Sequence, residues 1–391
     1  MSFTYQDTPD KVYYDITISN LQSIDTAPPI LYFNETRNSP FVLDPESYYL
    51  SIVRFTLDTP TLPVFQPEIQ PKQGDPNLTI YSVTLSWTAP SGATFNSQVY
   101  INFAPQVLGA PIPPPPSQTS NGLQSNANGY YFVYNYQYWI YLVNQAFSNA
   151  FSQLNTQVTG AGFTLPTPNA PVMSWDITAN LAILNADVAG YSNTLAHPIS
   201  IYFNPALYQL FSSFPAYINF DPQNLGKNAL IQTDAFGGAN IIAFPPSAPV
   251  ADQYQALQIV QEYSTIALWS PITSIVFTSN TLPVVPTNIS APLIYIDGSI
   301  YNGGGNNSNI SQIITDFVSN DGIYKPNIVY QPSAQYRLLN LTGNSPIYNL
   351  DINVYWKDRI GVLQPFRLSS GSTGTIKILF TRKGTAGDTK P

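Results

Sequence analysis

The chain has 391 residues, of which 44% are apolar, 14% aromatic and only 9% charged, and its formal net charge is -8. That length suits two modules, or one β-rich domain that carries a large insertion. The absence of cysteine excludes a disulfide framework and a thiolate metal site, and no apolar run is long enough to cross a bilayer. Because tyrosine (27) outnumbers phenylalanine (21), the composition favours a surface partly covered by protein partners over a freely solvated enzyme.

The N-terminal ninety residues predict β-structure. The first twenty carry acidic side chains and apolar–polar alternation in place of a signal peptide, which predicts synthesis and assembly inside a cell. Strands are predicted at 11–20, in the run "SPFVLDPESYYLSIVRFTL", and at 78–88. In the last of these, every second residue from Thr79 to Trp87 is predicted to face a core.

The middle of the chain differs from the N-terminal part in composition and in its predicted elements. Residues 108–130 join a polyproline stretch to a polar Gly/Asn/Ser tract, which is typical of a spacer or surface loop. A helix is predicted at 136–154, and its buried stripe consists of Trp139, Val143, Phe147, Phe151 and Leu154. Short strands are predicted at 172–177 and 181–185. A short helix is predicted at 205–213, with Asn204 as its N-cap and Pro205 in its first turn.

Alternation returns in the C-terminal part, which predicts strands at 255–263, 272–279, 292–297, 346–356 and 375–382, and an exposed turn at 301–309. The run "SIVFTSNTLPVV" (274–285) also echoes "SIVRFTLDTPTLPVF" (51–65). The two runs are therefore predicted to be strands of one domain. The predicted fold class is mainly β, a single jelly-roll antiparallel sandwich with a large mixed α/β, loop-rich insertion. The sandwich is assigned to 1–90 and 255–391, and the insertion to 91–254.

Catalytic and metal motifs are absent from the sequence, which contains no phosphate-binding loop, no dinucleotide fingerprint and no zinc-protease or serine-hydrolase signature. The single histidine, His197, cannot form a multi-histidine metal site. A glycosidase would need two convergent carboxylates, for which Asp351 with Asp358 and Asp316 with Asp321 are the nearest pairs in sequence. The sequence therefore predicts neither an enzyme nor a cofactor or metal site.

Residues 349–383 form the most distinctive constellation, two alternating strands joined by a loop with aromatic and charged residues at its start. A tryptophan beside an arginine is typical of an interface hot spot. The candidate subunit-interface residues are Trp356, Lys357, Asp358, Arg359 and Arg367. A hairpin whose charged tip is merely solvated is the alternative.

Basic residues are concentrated near the C-terminus, since 325–391 holds nine of the 14 Lys and Arg residues and only three acids. Such a region is compatible with contact to an acidic partner, a neighbouring subunit or nucleic acid. A scattered, solvated basic surface explains the same count, because the charges lack the dense clustering of a nucleic-acid groove.

Three segments resemble the minor capsid, or penton, proteins of virophages such as Sputnik and of related Polinton-type viruses. They are "SPFVLDPESYYLSIVRFTLDTPTLPVF", "QEYSTIALWSPITSIVFTSNTLPV" and "DINVYWKDRIGVLQPFRLSSGSTGTIKILF". The resemblance covers the first ninety and the last hundred and thirty residues and is diffuse from 91 to 254.

The resemblance implies a jelly-roll subunit of the virion that forms homopentamers at fivefold vertices and contacts a double-jelly-roll major capsid protein. The insertion would then shape the vertex or contact a host surface. The alternative function is a carbohydrate-binding β-sandwich or host-attachment module, which would use Trp87, Trp175 or Trp269 as stacking platforms.

Overall fold

A computed structural model of the chain divides into two compact units. Unit 1 comprises 1–63, 108–111 and 271–391, and unit 2 comprises 64–107 and 112–270. The residues that the structure describes are 9–21, 28–70, 74–107, 112–116, 129–219, 223–234, 240–290, 293–294, 300–301, 308–318, 327–331, 337–359 and 361–384.

Strands dominate the described residues. In chain order they are β1 (Lys11–Ser19), β2 (Tyr32–Thr36), β3 (Tyr48–Asp58), β4 (Leu78–Thr88), β5 (Thr94–Asn102), β6 (Val172–Asp176), β7 (Leu181–Asp187), β8 (Ile199–Phe203), β9 (Ala216–Ile218), β10 (Ala229–Ile231), β11 (Asn240–Phe244), β12 (Tyr254–Val260), β13 (Ile272–Thr278), β14 (Thr287–Ser290), β15 (Leu293–Ile294), β16 (Ile300–Tyr301), β17 (Ser308–Ser311), β18 (Ile313–Phe317), β19 (Asn327–Tyr330), β20 (Leu339–Asn340), β21 (Asn349–Asp358), β22 (Leu363–Pro365) and β23 (Thr373–Arg382). The α-helices are α1 (Tyr136–Gly160), α2 (Val188–Tyr191) and α3 (Pro205–Leu210).

Unit 1 contains two larger antiparallel sheets, which we call sheet A and sheet C, and the two-stranded sheets β14-β17 and β15-β16. Sheet A has the order β1-β23-β3-β19, with β20 also paired to β3, and sheet C has the order β2-β21-β13-β18, with β22 paired to β21. Counted in chain order, the eight strands on the main paths of sheets A and C follow the orders 1-8-3-6 and 2-7-4-5. Such interleaving of two antiparallel sheets is the jelly-roll topology, so the predicted fold class is confirmed.

The core of unit 1 follows from the period of two along its strands. In β3, Phe55 and Leu57 are at most 1% exposed, while Arg54 on the other face is open to solvent. A register shift between Ile52 and Arg54 reverses the alternation, so Leu50 before it also faces inward, at 0% exposure. Phe55 also has ring neighbours on other strands, including Phe277 of β13 at 5.1 Å between centroids. Alternating apolar residues therefore build the interior between the sheets.

The two echoing runs both contribute to unit 1. The first provides β3 of sheet A and the second provides β13 of sheet C, so they are strands of one sandwich but of different sheets. In both, a buried leucine follows the strand within four residues, Leu62 at 1% and Leu282 at 0% exposure. The Thr-Leu-Pro segments thus close the core where each strand leaves its sheet.

Unit 2 contains the sheets β5-β4-β8-β10-β9 and β11-β12-β7-β6, which are also antiparallel. Helix α1 begins after Asn135, whose side chain accepts a hydrogen bond from the Gln137 amide at 2.7 Å. All five residues of the predicted helical stripe are buried, which confirms this helix. The short helix α3 is capped by Asn204, as predicted, but ends at Leu210 rather than 213.

The boundaries between the two units differ from the predicted domain boundaries at residues 90 and 255. The run at 78–88 was assigned to the jelly roll, but β4 pairs with β5 and β8 inside unit 2. Strand β12 likewise pairs with β11 and β7 of that unit. Alternation predicts a strand without identifying its partners, so the local sequence did not show that both strands belong to unit 2.

Some predicted segments lie outside the described residues. These are most of the polyproline and polar tract at 108–130, residues 302–307 of the predicted turn, and all but two residues of the strand predicted at 292–297.

Gly190 in α2 has no room for a side chain. A Cβ at this position would lie 2.0 Å from Cγ2 of Thr167 and 2.8 Å from its Cβ. Thr167 is 2% exposed and its hydroxyl donates to Asp187 at 2.5 Å, so it cannot easily move away. We expect Gly190→Ala to destabilise the chain by about 1–3 kcal/mol, which thermal unfolding would measure.

A matched control for that substitution is Gly160→Ala at the end of α1, where a Cβ would meet nothing within 4 Å. We expect this variant to unfold at the parent temperature or slightly above it, since alanine favours helix. Equal melting temperatures for the two variants would show that the Thr167 contact does not constrain Gly190.

Candidate subunit interface

The predicted interface residues lie on β21 and in the segment that follows it, and they differ in exposure. Arg359 and Arg367 are exposed and Lys357 is half-buried, whereas Trp356 and Asp358 are each only 3% exposed. Trp356 belongs to the inward row of β21, because every second residue before it is also buried. The prediction is therefore corrected for Trp356 and Asp358, while the other three side chains stay candidates.

Arg367 lies beside a groove at one end of β1 and β2. Its Nη1 donates to the Pro28 carbonyl at 2.8 Å, and its backbone bridges to Ile30. The groove has a volume of about 480 Å³ and is lined mainly by Ile18, Leu21, Pro29, Ile30, Tyr32 and Leu368. Leu21 is 90% exposed, so this end of the sandwich presents apolar surface to solvent.

A cluster of aromatic and charged side chains lies where the edge strands β1 and β2 meet, a surface that we call the β1–β2 edge. Nε of Arg37 donates to Glu35 at 2.7 Å, and its guanidinium lies 4.9 Å from the ring centre of Tyr14 and 4.6 Å from that of Phe41. The Tyr14 hydroxyl also donates to Glu35. Because Arg37 is 45% exposed, this arginine between two rings has the composition of an interface hot spot.

The opposite side of the sandwich, the β18–β19 edge, carries a comparable set. Arg337 pairs with Asp316 of β18 at 2.5 Å. Behind this pair the ring of Phe317 lies 4.0 Å from that of Tyr330 and 4.7 Å from that of Phe55. Val329 of β19 is 65% exposed. Each edge therefore combines an ion pair with aromatic packing and exposed apolar surface.

The exposed large apolar side chains described in unit 1 fall into two groups. One group lies on or beside β1 and β2, and the other lies on or beside β18, β19 and β20. The first contains Tyr13, Leu21, Ile30, Tyr32, Leu43 and Tyr348, and the second contains Val285, Val318, Val329 and Leu338. Isolated exposed apolar residues are ordinary, but their concentration on two opposite edges indicates contact surfaces.

The basic residues of the C-terminal part are distributed over several strands and do not form one patch among the described residues. Lys377 lies 3.2 Å and Arg54 3.3 Å from Asp15 on the outer face of sheet A. Arg337 lies on the β18–β19 edge, and Arg359 and Arg367 follow β21. This spread matches the alternative of a scattered basic surface.

The carboxylate pairs considered for catalysis do not converge within the described residues. Asp351 and Asp358 stand near the two ends of β21, seven positions or about 23 Å apart along the strand. Asp316 is engaged by Arg337, and Asp321 lies outside the described residues. No group of three or more His, Cys, Asp or Glu side chains suited to a metal ion occurs in the part of the chain that the structure describes.

The carboxylate of Asp351 instead has a structural role, as an acceptor of hydrogen bonds from the loop that follows β13. Its Oδ1 accepts hydrogen bonds from the Thr281 hydroxyl at 2.6 Å and amide at 2.9 Å, and from the Ser279 hydroxyl at 2.5 Å. Burial acts to raise the pKa of Asp351, but these bonds and that from the Asn280 amide outweigh it, and the pKa lies below its ordinary value. The carboxylate thus fixes the loop that follows β13.

The tryptophans considered as carbohydrate platforms are mostly internal. Trp87 is 4% and Trp269 1% exposed. Trp175 is half-buried and stacks on Tyr136 with 5.0 Å between ring centres. A stacking platform must present a ring face to solvent, so the prediction was wrong for Trp87 and Trp269. Separately, no helix among the described residues has the length and hydrophobicity required to cross a membrane.

Comparison with known proteins relates this arrangement to viral capsids. The family model of the Sputnik minor capsid protein V18/19 matches residues 12–382. The chain belongs to the Sputnik minor capsid protein V18/19 family. It is a structural component of a virion capsid, it assembles with other capsid components, and the resemblance seen in its sequence is confirmed.

Two Sputnik virophage proteins are similar to parts of the chain. The structural protein V19 is 29% identical over 212 residues, which are 54% of this chain and 93% of V19. The uncharacterized protein V18 is 33% identical over 151 residues, which are 38% of this chain and 87% of V18.

Two solved structures match the fold over nearly the whole chain. A chain of the 3.5 Å cryo-EM structure of the Sputnik virophage is 28% identical, with a TM-score of 0.77, and the match covers 96% of this chain and 99% of that one. The crystal structure of the mavirus penton protein is 15% identical, with a TM-score of 0.62 and coverage of 96% and 100%. The second likeness is one of fold, and it includes the jelly roll of unit 1.

Proposed function

We propose that this protein is the penton subunit of its virion, a non-enzymatic protein that forms a closed homopentamer at each fivefold vertex. The observation that carries the proposal is the match of nearly the whole chain to a chain of the Sputnik virophage particle. The shared fold of the mavirus penton protein supports it. Closure of a ring would cover the apolar edges of unit 1, which a monomer leaves exposed to aggregation.

Unit 1 is proposed to be the capsid jelly roll and unit 2 its insertion, carried between the third and fourth strands of the sandwich. The vertex position implies contact with a double-jelly-roll major capsid protein, and assembly would take place inside the host cell. The insertion is the part proposed to reach a host surface, because it is additional to the strands of the sandwich.

The mass of the purified chain in solution tests this function. Light scattering is expected to give about five times the 43.0 kDa mass of one chain, alone or after mixing with the major capsid protein. Purified particles should contain the chain in a ratio of five copies per vertex. A protein that stays monomeric under both conditions and is absent from particles would contradict the proposal.

A further inference from the structure

The two sheets of unit 1 end in edge strands that run in opposite directions. Each sheet has four main strands with antiparallel pairing throughout, so β1 and β19 are antiparallel to each other, as are β2 and β18. Among the described strands, β1 pairs only with β23 and β19 only with β3. Both edges of sheet A therefore have backbone groups available to a further strand.

We propose that the β1–β2 edge of one subunit faces the β18–β19 edge of the next. This inference rests on the proposed pentamer and names the surfaces that build it. The proposal places the fivefold axis along the strands. Rotation about that axis preserves strand direction, so β19 of one copy is antiparallel to β1 of its neighbour. A ring needs such a heterologous contact between two different patches, and the two edges supply them.

The broad faces of the sheets fit that contact less well. The outer face of sheet A carries Lys377, Arg54 and Asp15 in one charged cluster. On the outer face of sheet C the middle is buried, since Val276 and Thr278 of β13 are 1% and 5% exposed. The exposed apolar side chains of unit 1 lie on or beside the edge strands, where burial against a second copy contributes most to association.

Disulfide cross-linking can test the pairing in a chain that has no cysteine of its own. Thr17 of β1 and Val329 of β19 lie on one row across sheet A, through Thr375 and Thr56. Within one subunit they are three strand spacings apart, about 14 Å, whereas a disulfide needs Cα atoms within about 7 Å. Oxidised Thr17→Cys/Val329→Cys protein should therefore link neighbours only, and give a ladder up to five chains on a non-reducing gel.

Matched variants define the outcome. Neighbouring edge strands shifted by two residues in either direction would be linked instead by Asp15→Cys/Val329→Cys or by Ser19→Cys/Val329→Cys. The control Thr375→Cys/Val329→Cys would be linked only by a contact through the face of the sheet, so we expect it to give no ladder. Each single-cysteine variant should also give no ladder. A protein that scatters as a pentamer but gives no ladder with any of the three edge pairs would overturn this inference and leave the proposed function intact.

Two further outcomes are informative. A covalent dimer formed by Thr17→Cys alone would mean that β1 meets β1, and this would also overturn the inference. Failure of the unsubstituted chain to form pentamers, alone or with the major capsid protein, would contradict the proposed function and remove the basis of the inference with it.

Discussion

Replacement of Phe55 by alanine is expected to lower the stability of unit 1 by about 3–5 kcal/mol, the usual loss for a buried phenylalanine. Phe55 is 1% exposed, and its ring contacts Phe277 at 5.1 Å, Phe317 at 4.7 Å and Tyr330 at 5.4 Å between centroids. These neighbours come from β13, β18 and β19. One side chain thus joins strands of both sheets, and the cavity left by its loss would lie in the middle of the sandwich.

Hydrogen exchange followed by mass spectrometry can measure this loss separately in each unit, because peptides from β3 and β13 report only on unit 1. Thr56→Ala is the matched control, since Thr56 is the next residue of the same strand and faces outward. We expect it to change the opening free energy by less than about 1 kcal/mol. Unchanged exchange of β3 and β13 in Phe55→Ala would contradict the central place given to this ring.

Replacement of Asp351 by asparagine is expected to destabilise unit 1 by about 2–4 kcal/mol at neutral pH, since bonds to a charged group are the stronger kind. The Oδ2 atom accepts from the Asn280 amide at 2.9 Å and from Nδ2 of Asn353 at 3.2 Å. In the variant, the side-chain amide nitrogen would face the donors now on Oδ2. After a flip it would face the four donors on Oδ1, from Ser279, Asn280 and Thr281. Both orientations leave buried donors without acceptors.

The effect of this substitution should depend on pH. The pKa of Asp351 is lowered in the folded chain, so the stabilisation is complete above the pKa of the unfolded state and is lost as pH falls through the folded-state pKa. Unfolding of the parent and the variant, measured from pH 7 downward, should therefore converge below about pH 4. Glu46→Gln, at an exposed position of the same unit, controls for the loss of one charge. A difference that stays constant through acid would rule out the carboxylate as its origin.

The sequence predicted the type of most elements but not their partners. Helix α1 and the cap at Asn204 were predictable because a 3.6-residue period and a capping amide act within one segment. Strand β4 was predicted as a strand and assigned to the wrong unit. Its partners, β5 and β8, are chosen by contacts that local alternation does not encode.

The candidate interface also shows that local sequence patterns do not identify which residues come together in the fold. Trp356 was selected for its composition, although the period of two along β21 places it with the inward row, a signal that was already present in the sequence. The cluster of Tyr14, Glu35, Arg37 and Phe41 was not predicted. Its members come from edge strands of two sheets and the segment after β2, and only the jelly-roll topology brings them together.

A reconstruction of purified particles that resolves the fivefold vertex tests the penton assignment most directly. The proposal predicts five copies of the chain around each fivefold axis, with the jelly roll of unit 1 in contact with the surrounding capsomers. The density should hold both the sandwich of β1 to β3 and β13 to β23 and the insertion between them. Vertices occupied by a different protein, with this chain elsewhere in the particle or missing from it, would contradict the assignment.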